Sequence, residues 1–209
     1  MFEIVQAGGW MMLPIIFCSV LAAAIIFERL FTLQQKRVLP KDLAAKVWFW
    51  VERQQLDGRS IRAIQESSPL GQILAAGLIN RHGDREIMKE SIEDTGRHVV
   101  HDLERFINPL GTIAAITPLM GLLGTVWGMI KVFDAITTAG VGDPQALAGG
   151  INEALITTAA GLAVAIPSLI GYRYLRSRVD SLVVQMEKEA MKLIEAIYGG
   201  DRREELRDQ

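Results

Sequence analysis

The sequence predicts an all-α membrane protein with three transmembrane helices, and the placement of its charges carries that prediction. Half of the 209 residues are hydrophobic. Residues 4–27 and 106–130 hold no charged side chain, and residues 148–172 hold one, Glu153. Each run is 24 or 25 residues long, and a helix needs about 20 apolar residues to cross a hydrocarbon core. A soluble core of this size would not gather its apolar residues into three uninterrupted stretches of that length.

Orientation follows from where Lys and Arg sit, not from the net charge of −2. Of the 22 basic residues, 12 lie in residues 34–105 and eight lie beyond position 172, while the first ten residues and residues 137–147 hold none. The positive-inside rule places the basic segments in the cytoplasm. The chain then divides into a periplasmic N-terminus with transmembrane helix 1 (residues 1–33), a cytoplasmic helical segment (34–105), transmembrane helix 2 (106–136), a periplasmic hairpin (137–147), transmembrane helix 3 (148–174), and a cytoplasmic C-terminal helix and tail (175–209).

Residues 1–6 read as a short interfacial segment and residues 4–27 as a retained anchor, since no basic region precedes the apolar run. Trp10 suits the headgroup zone. Pro14 falls in the first turns, where its missing donor costs least. Cys18 is alone in the chain, so it reads as a packing or lipid-facing residue.

Pro40, Lys41 and Asp42 read as a helix start. Trp48, Phe49 and Trp50 are consecutive and cannot share one face, so at least one meets lipid headgroups or another subunit. Asp57–Gly58 and Ser67–Ser68–Pro69 break helices on either side of a short one. Residues 70–80 are apolar but too short to span a membrane, which points to a helical bundle. A long helix begins near Arg85, with Ile92, Val99, Leu103 and Phe106 on its less polar side, and is expected to run straight into span two. In the tail, Leu182, Met186, Ala190, Leu193 and Ile197 recur at helical spacing. Gly199 and Gly200 are expected to end that helix, leaving a charged, disordered tail.

Glu153 is the residue around which the rest is arranged. A carboxyl group at membrane depth is expensive and marks a functional site. Burial disfavours its charged form, which suits it to loading and releasing protons. The plainer reading is that span three starts later and Glu153 caps its N-terminus, where the helix dipole favours an anion. Thr157 lies one turn on and on the same face, and Thr158 is offset by about 140°. Both can line a polar path or simply bond back to the preceding turn.

Span two carries Gly121, Gly124 and Gly128, which with Gly161 in span three allow close helix approach. Thr125 is the polar side chain in the middle of that run, two turns from Pro118. Pro109, Pro118 and Pro167 are expected to relax or kink the helices locally.

No soluble-enzyme site, phosphate loop or cofactor motif is present. His98 and His101 share a helix face but read as solvated, not as metal ligands. Acids nearly match the bases of the middle segment, which argues against a nucleic-acid surface. One acid and no duplicated half argue against a solute transporter built from inverted repeats.

The motifs PLMGLLGTVWGMIKVF and GGINEALITTAAGLAVAIPSLIGY, joined by a short hairpin, resemble the ExbB/TolQ/MotA family of proton-channel subunits. The resemblance implies a homopentamer in the bacterial inner membrane, with spans two and three lining a central pore and extending into a cytoplasmic bundle. It implies a single-span partner of the ExbD or TolR type inside the pore, carrying an aspartate, and delivery of work to TonB or to the Tol–Pal system. It assigns Glu153, Thr125 and Thr158 to the proton pathway. The spacing alone does not choose Thr158 over Thr157. The opening stretch, with AGGW before span one and ER closing it, looks more like the ExbB branch. A non-conducting membrane scaffold is the reading from a different class.

Overall fold

The structure is a computed structural model that describes residues 7–52, 57–139 and 144–205. Among these residues all regular structure is α-helical: α1 (Met12–Thr32), α2 (Gln35–Val38), α3 (Lys41–Glu52), α4 (Gly58–Ser67), α5 (Pro69–Ile79), α6 (Arg85–Glu104), α7 (Ile107–Ala139) and α8 (Pro144–Glu205). Three helical stretches are long and apolar enough to cross a membrane: Met12–Thr32, one within Arg85–Thr137 and one within Leu147–Gly199. The backbone falls into two compact units, Met1–Arg29 with Phe106–Leu175, and Leu30–Arg105 with Arg176–Gln209.

The first unit is a three-helix assembly of α1, α7 and the first half of α8. Buried positions on α7 are Ile107, Leu110, Ala114, Thr117, Gly121, Gly124, Gly128 and Val132. Those on α8 are Gly150, Ala154, Thr157, Gly161, Ala165 and Ser168. Both stripes step by three and four residues, the pattern that keeps one face of a helix against a neighbour. Most members are small, so the two backbones come close. A Cβ added at Gly161 would lie 2.6 Å from the Thr117 carbonyl oxygen and 3.1 Å from Gly121 Cα. One added at Gly128 would lie 2.7 Å from the Gly150 oxygen. The partner's number falls as the α7 number rises, so the helices are antiparallel. Outside the stripes the unit exposes Leu13, Phe17, Val20, Leu119, Leu122, Val126, Leu155, Ile166 and Ile170, the surface expected of helices that meet lipid or other subunits.

The second unit is a helical bundle with its own core. Leu70, Leu74, Ala75, Leu78, Met88, Leu182, Met186 and Leu193 are each at most 2% exposed. Gly77 lets α5 approach closely: a Cβ there would meet Ile92, Met88 and Leu193 side chains at 2.9–3.1 Å. Two helix starts are capped by side chains. Asp57 accepts from the Gly58 amide at 2.7 Å, and Ser68 from the Gly71 amide at 3.1 Å. Asn80 donates to Ser91 at 3.0 Å, and the Tyr198 hydroxyl donates to the Gly83 carbonyl at 2.9 Å. In α3, Val47 is buried while Phe49 is 47% exposed.

Several expectations are corrected. The long helix beginning at Arg85 does not run into span two. It stops at Glu104, and Phe106 takes φ +66° before α7 begins. A non-glycine residue in the left-handed region breaks the hydrogen-bond ladder, and the Phe106 ring packs against the guanidinium of the buried Arg29, 5.2 Å from its centroid. Span one starts at Met12, after a turn closed by bonds from Met12 to Gly9 and from Leu13 to Trp10. α7 runs to Ala139 and α8 starts at Pro144, so helix extends into both ends of the segment read as the hairpin, residues 137–147. Gly199 and Gly200 do not end α8, which continues to Glu205. The expected interfacial segment, residues 1–6, and the last four residues of the tail lie outside the described residues.

Candidate functional site in the three-helix unit

The α7–α8 stripe dictates where charge can sit. Lys131 immediately precedes the buried Val132, and Glu153 immediately precedes the buried Ala154. Each is therefore a flanking position on its helix, the place where interhelical ion pairs form beside a packed seam. The antiparallel register brings them together. Lys131 Nζ donates to Glu153 Oε1 at 2.7 Å and to Oε2 at 2.8 Å. The glutamate side chain is 16% exposed and the lysine 49%. The ammonium thus bridges both oxygens from the more open side.

Glu153 is nine residues inside α8, which begins at Pro144. This removes the reading in which it caps the helix N-terminus: the end of the dipole lies more than two turns away. A third element closes over the carboxylate. Gly9 has φ +67°, and a Cβ there would collide with the Glu153 carboxyl group. Only a residue without a side chain fits both that backbone and that contact. Next to it, Trp10 meets Trp127 of α7 edge-to-face, with centroids 6.1 Å apart and planes at 78°.

The threonines divide by what they bond. Thr158 reaches across the seam, its hydroxyl donating to the Gly121 carbonyl at 3.1 Å. Thr157 is fully buried against Gly124 and bonds within its own helix, to the carbonyls of Glu153 at 2.9 Å and Ala154 at 3.0 Å. Thr125 likewise bonds back, to Leu122 at 2.6 Å. Gly121, Gly124, Gly128 and Gly161 all lie on the seam, and Pro118 follows the fully buried Thr117. Of the residues picked from the sequence, Glu153, Thr157 and Thr158 cluster on one stretch of α8, and Thr125 lies on α7 one turn before Lys131's own turn begins.

Sequence reasoning missed Lys131 and Gly9. Lys131 looked like the mere end of an apolar run. The signal that finds it is the small-residue stripe: extending the three-and-four spacing of Gly121, Gly124 and Gly128 to Val132, and that of Thr157 back to Ala154, puts Lys131 and Glu153 beside the seam. Among the described residues no group of three or more His, Cys, Asp or Glu side chains is arranged to hold a metal. His98 is exposed, with Nε2 3.9 Å from an Asp94 carboxylate that also pairs with Arg97.

The helices define a multi-pass membrane protein, and the site is a carboxylate–ammonium pair set within its spans. The model of the MotA/TolQ/ExbB proton channel family matches residues 65–188, which include α7, the site and most of α8. An ExbB-like biopolymer transport protein of Synechocystis is 36% identical over 178 residues, covering 81% of this chain and 68% of the relative. A biopolymer transport protein of the ExbB type from Vibrio cholerae is 28% identical over 189 residues, 88% of this chain and 83% of the relative. The Tol-Pal system protein TolQ of Haemophilus influenzae is 42% identical over 83 residues, 40% of this chain and 36% of the relative. The chain belongs to the MotA/TolQ/ExbB proton channel family.

Proposed function

We propose that this chain is an ExbB-type proton-channel and motor subunit of the bacterial inner membrane. With a single-span ExbD-type partner it uses the proton motive force to energise TonB-dependent transport at the outer membrane. The observation that carries this reading is the Glu153 carboxyl group, 16% exposed between α7 and α8 and met by Lys131, Gly9 and the seam. A carboxylate held there can take up a proton from one side and release it to the other. Thr158 and Thr125, with Thr157, line the proton pathway in this proposal, and Gly121, Gly124, Gly128, Pro118 and Gly161 set the helix packing that shapes it. Five copies surround a pore, the partner helix stands inside it, and the N-terminus is periplasmic and the C-terminus cytoplasmic. The exposed apolar faces of α7 and α8 support an assembly in which neighbouring subunits or lipid cover them.

The ExbB branch is favoured by relatives that bear that name and align along most of the chain. The second reading, a TolQ-type subunit of the Tol-Pal system, is favoured by the higher identity of the shorter TolQ alignment. The test is iron–siderophore uptake in the native host for wild type, a deletion and Glu153→Gln, with assembly followed by native electrophoresis. Loss of uptake in both mutants with an assembled Glu153→Gln protein supports the proposal. Uptake that survives the deletion turns the assignment to TolQ-type envelope function, read as detergent sensitivity and impaired division. Loss of the oligomer in Glu153→Gln supports a scaffold without an ion path.

A further inference from the structure

We propose that Lys131 determines the ion specificity of the Glu153 site, by occupying both carboxylate oxygens and so excluding alkali cations. The inference rests on reading Glu153 as the ion-carrying group. A sodium ion is held by several oxygen ligands converging on one point, with no positive charge beside them. Here the oxygens are already committed. One ammonium sits 2.7 Å from Oε1 and 2.8 Å from Oε2. A metal ion that reached either oxygen would lie within a few ångströms of that ammonium, and like charges at that distance repel.

The neighbouring hydroxyls do not complete a cation cage. Thr157 Oγ1 points its proton at the carbonyls of Glu153 and Ala154, and Thr158 Oγ1 at the carbonyl of Gly121. Both hydroxyls are turned to main-chain carbonyls, and the carboxylate's hydrogen bonds come from Lys131. Gly9 closes a further side, its backbone lying so near the carboxyl group that a Cβ would reach Glu153 Cδ at 2.8 Å.

A proton escapes each of these obstacles. It bonds covalently to one oxygen, needs no coordination shell, and neutralises the carboxylate so that the ammonium is no longer held. Lys131 is half exposed and hangs on a flexible four-carbon stem, so it can swing away when Glu153 is protonated and return when the proton leaves. Lys131 is a specificity-determining residue in this account and does not itself carry the ion.

The experiment is sodium protection of Glu153 against dicyclohexylcarbodiimide, which attacks protonated carboxyl groups at apolar depth. The full chain is purified in detergent and labelled in sodium chloride or an equal concentration of choline chloride. The adduct at Glu153 is then quantified by mass spectrometry, with Glu153→Gln as the blank. Wild type is expected to label at the same rate in both salts. Lys131→Met and Lys131→Gln are expected to label faster in choline, and to be slowed several-fold by sodium. Lys131→Arg is expected to restore indifference to sodium. Sodium protection of wild type overturns the proposal, and this arm needs no variant to fold. Equal labelling of both neutral variants in the two salts overturns it as well. Neither result touches the siderophore-uptake test of Glu153→Gln, so the two readings fail separately.

Discussion

Replacing Gly161 by Ala adds one methyl group where the backbones of α7 and α8 come close, and its effect can be worked from the distances. The new Cβ would stand 2.6 Å from the Thr117 carbonyl oxygen, 3.1 Å from Gly121 Cα and 3.2 Å from Gly121 N. All three atoms are backbone, so no side chain can rotate aside. The helices must part by several tenths of an ångström, and the contacts around Gly121, Thr157 and Thr158 loosen with them. Overpacking of this kind destabilises by about 1–3 kcal/mol. Alanine's better helix propensity returns roughly 0.5–1 kcal/mol, leaving a net loss of about 1 kcal/mol from the middle of both ranges and about 2.5 kcal/mol at most. For a chain of this size, about 1 kcal/mol lowers the melting temperature by about 2–4 °C. The control is Gly96→Ala in α6, where an added Cβ meets nothing within 4 Å and only the propensity term of about 0.5–1 kcal/mol remains. Thermal unfolding of the full chain in detergent, followed by circular dichroism, measures both. A Gly161→Ala protein that melts at or above Gly96→Ala would falsify the account of the seam.

Thr158→Val removes a hydrogen bond that ties two helices together and is expected to destabilise by about 0.5–1.5 kcal/mol. Thr157→Val removes only bonds within one helix and should cost less; the reverse order in the same unfolding assay would contradict the assignment of the two hydroxyls. Gly9→Ala forces a Cβ into the left-handed region and against the Glu153 carboxyl group. A loss of about 1–2 kcal/mol from the backbone alone is expected, visible as a lower melting temperature, and an unchanged one would dissociate the turn from the site. Ser68→Ala deletes the cap of α5 and is expected to destabilise by about 1 kcal/mol; Ser68→Asp should retain most of the stability, measured by the same melt.

The features most legible in the sequence were those written in consecutive residues. Apolar runs gave the three membrane-crossing stretches, and Asp57–Gly58 and Ser67–Ser68–Pro69 marked helix breaks, at which Asp57 and Ser68 turn out to cap the helices that follow. Glu153 stood out because it is alone in an apolar run. The pairing of Lys131 with Glu153 was harder to see, since 22 residues separate them and only the register of two helices brings them together. That register is written in glycine spacing, which is faint because glycine signals closeness without naming the neighbour. Phe106 was illegible for a different reason. Nothing in its own side chain favours a positive φ, and the cation its ring packs against, Arg29, lies near the end of another helix. The Gly199–Gly200 pair misled because a helix-weakening dipeptide lowers the odds of continuation without forbidding it.

The edge-to-face contact of Trp10 with Trp127 has an optical consequence. Trp48 and Trp50 are the chain's other two indoles, and both lie on α3. With those two replaced by Phe, the intrinsic fluorescence would come entirely from a pair of rings one residue from Gly9 and four from Lys131. Indole emission responds to the local field and to hydration. The chain therefore carries, unlabelled, a light source next in sequence to the Gly9 that covers the carboxylate, and a change in the charge of Glu153 is expected to register as a change in colour.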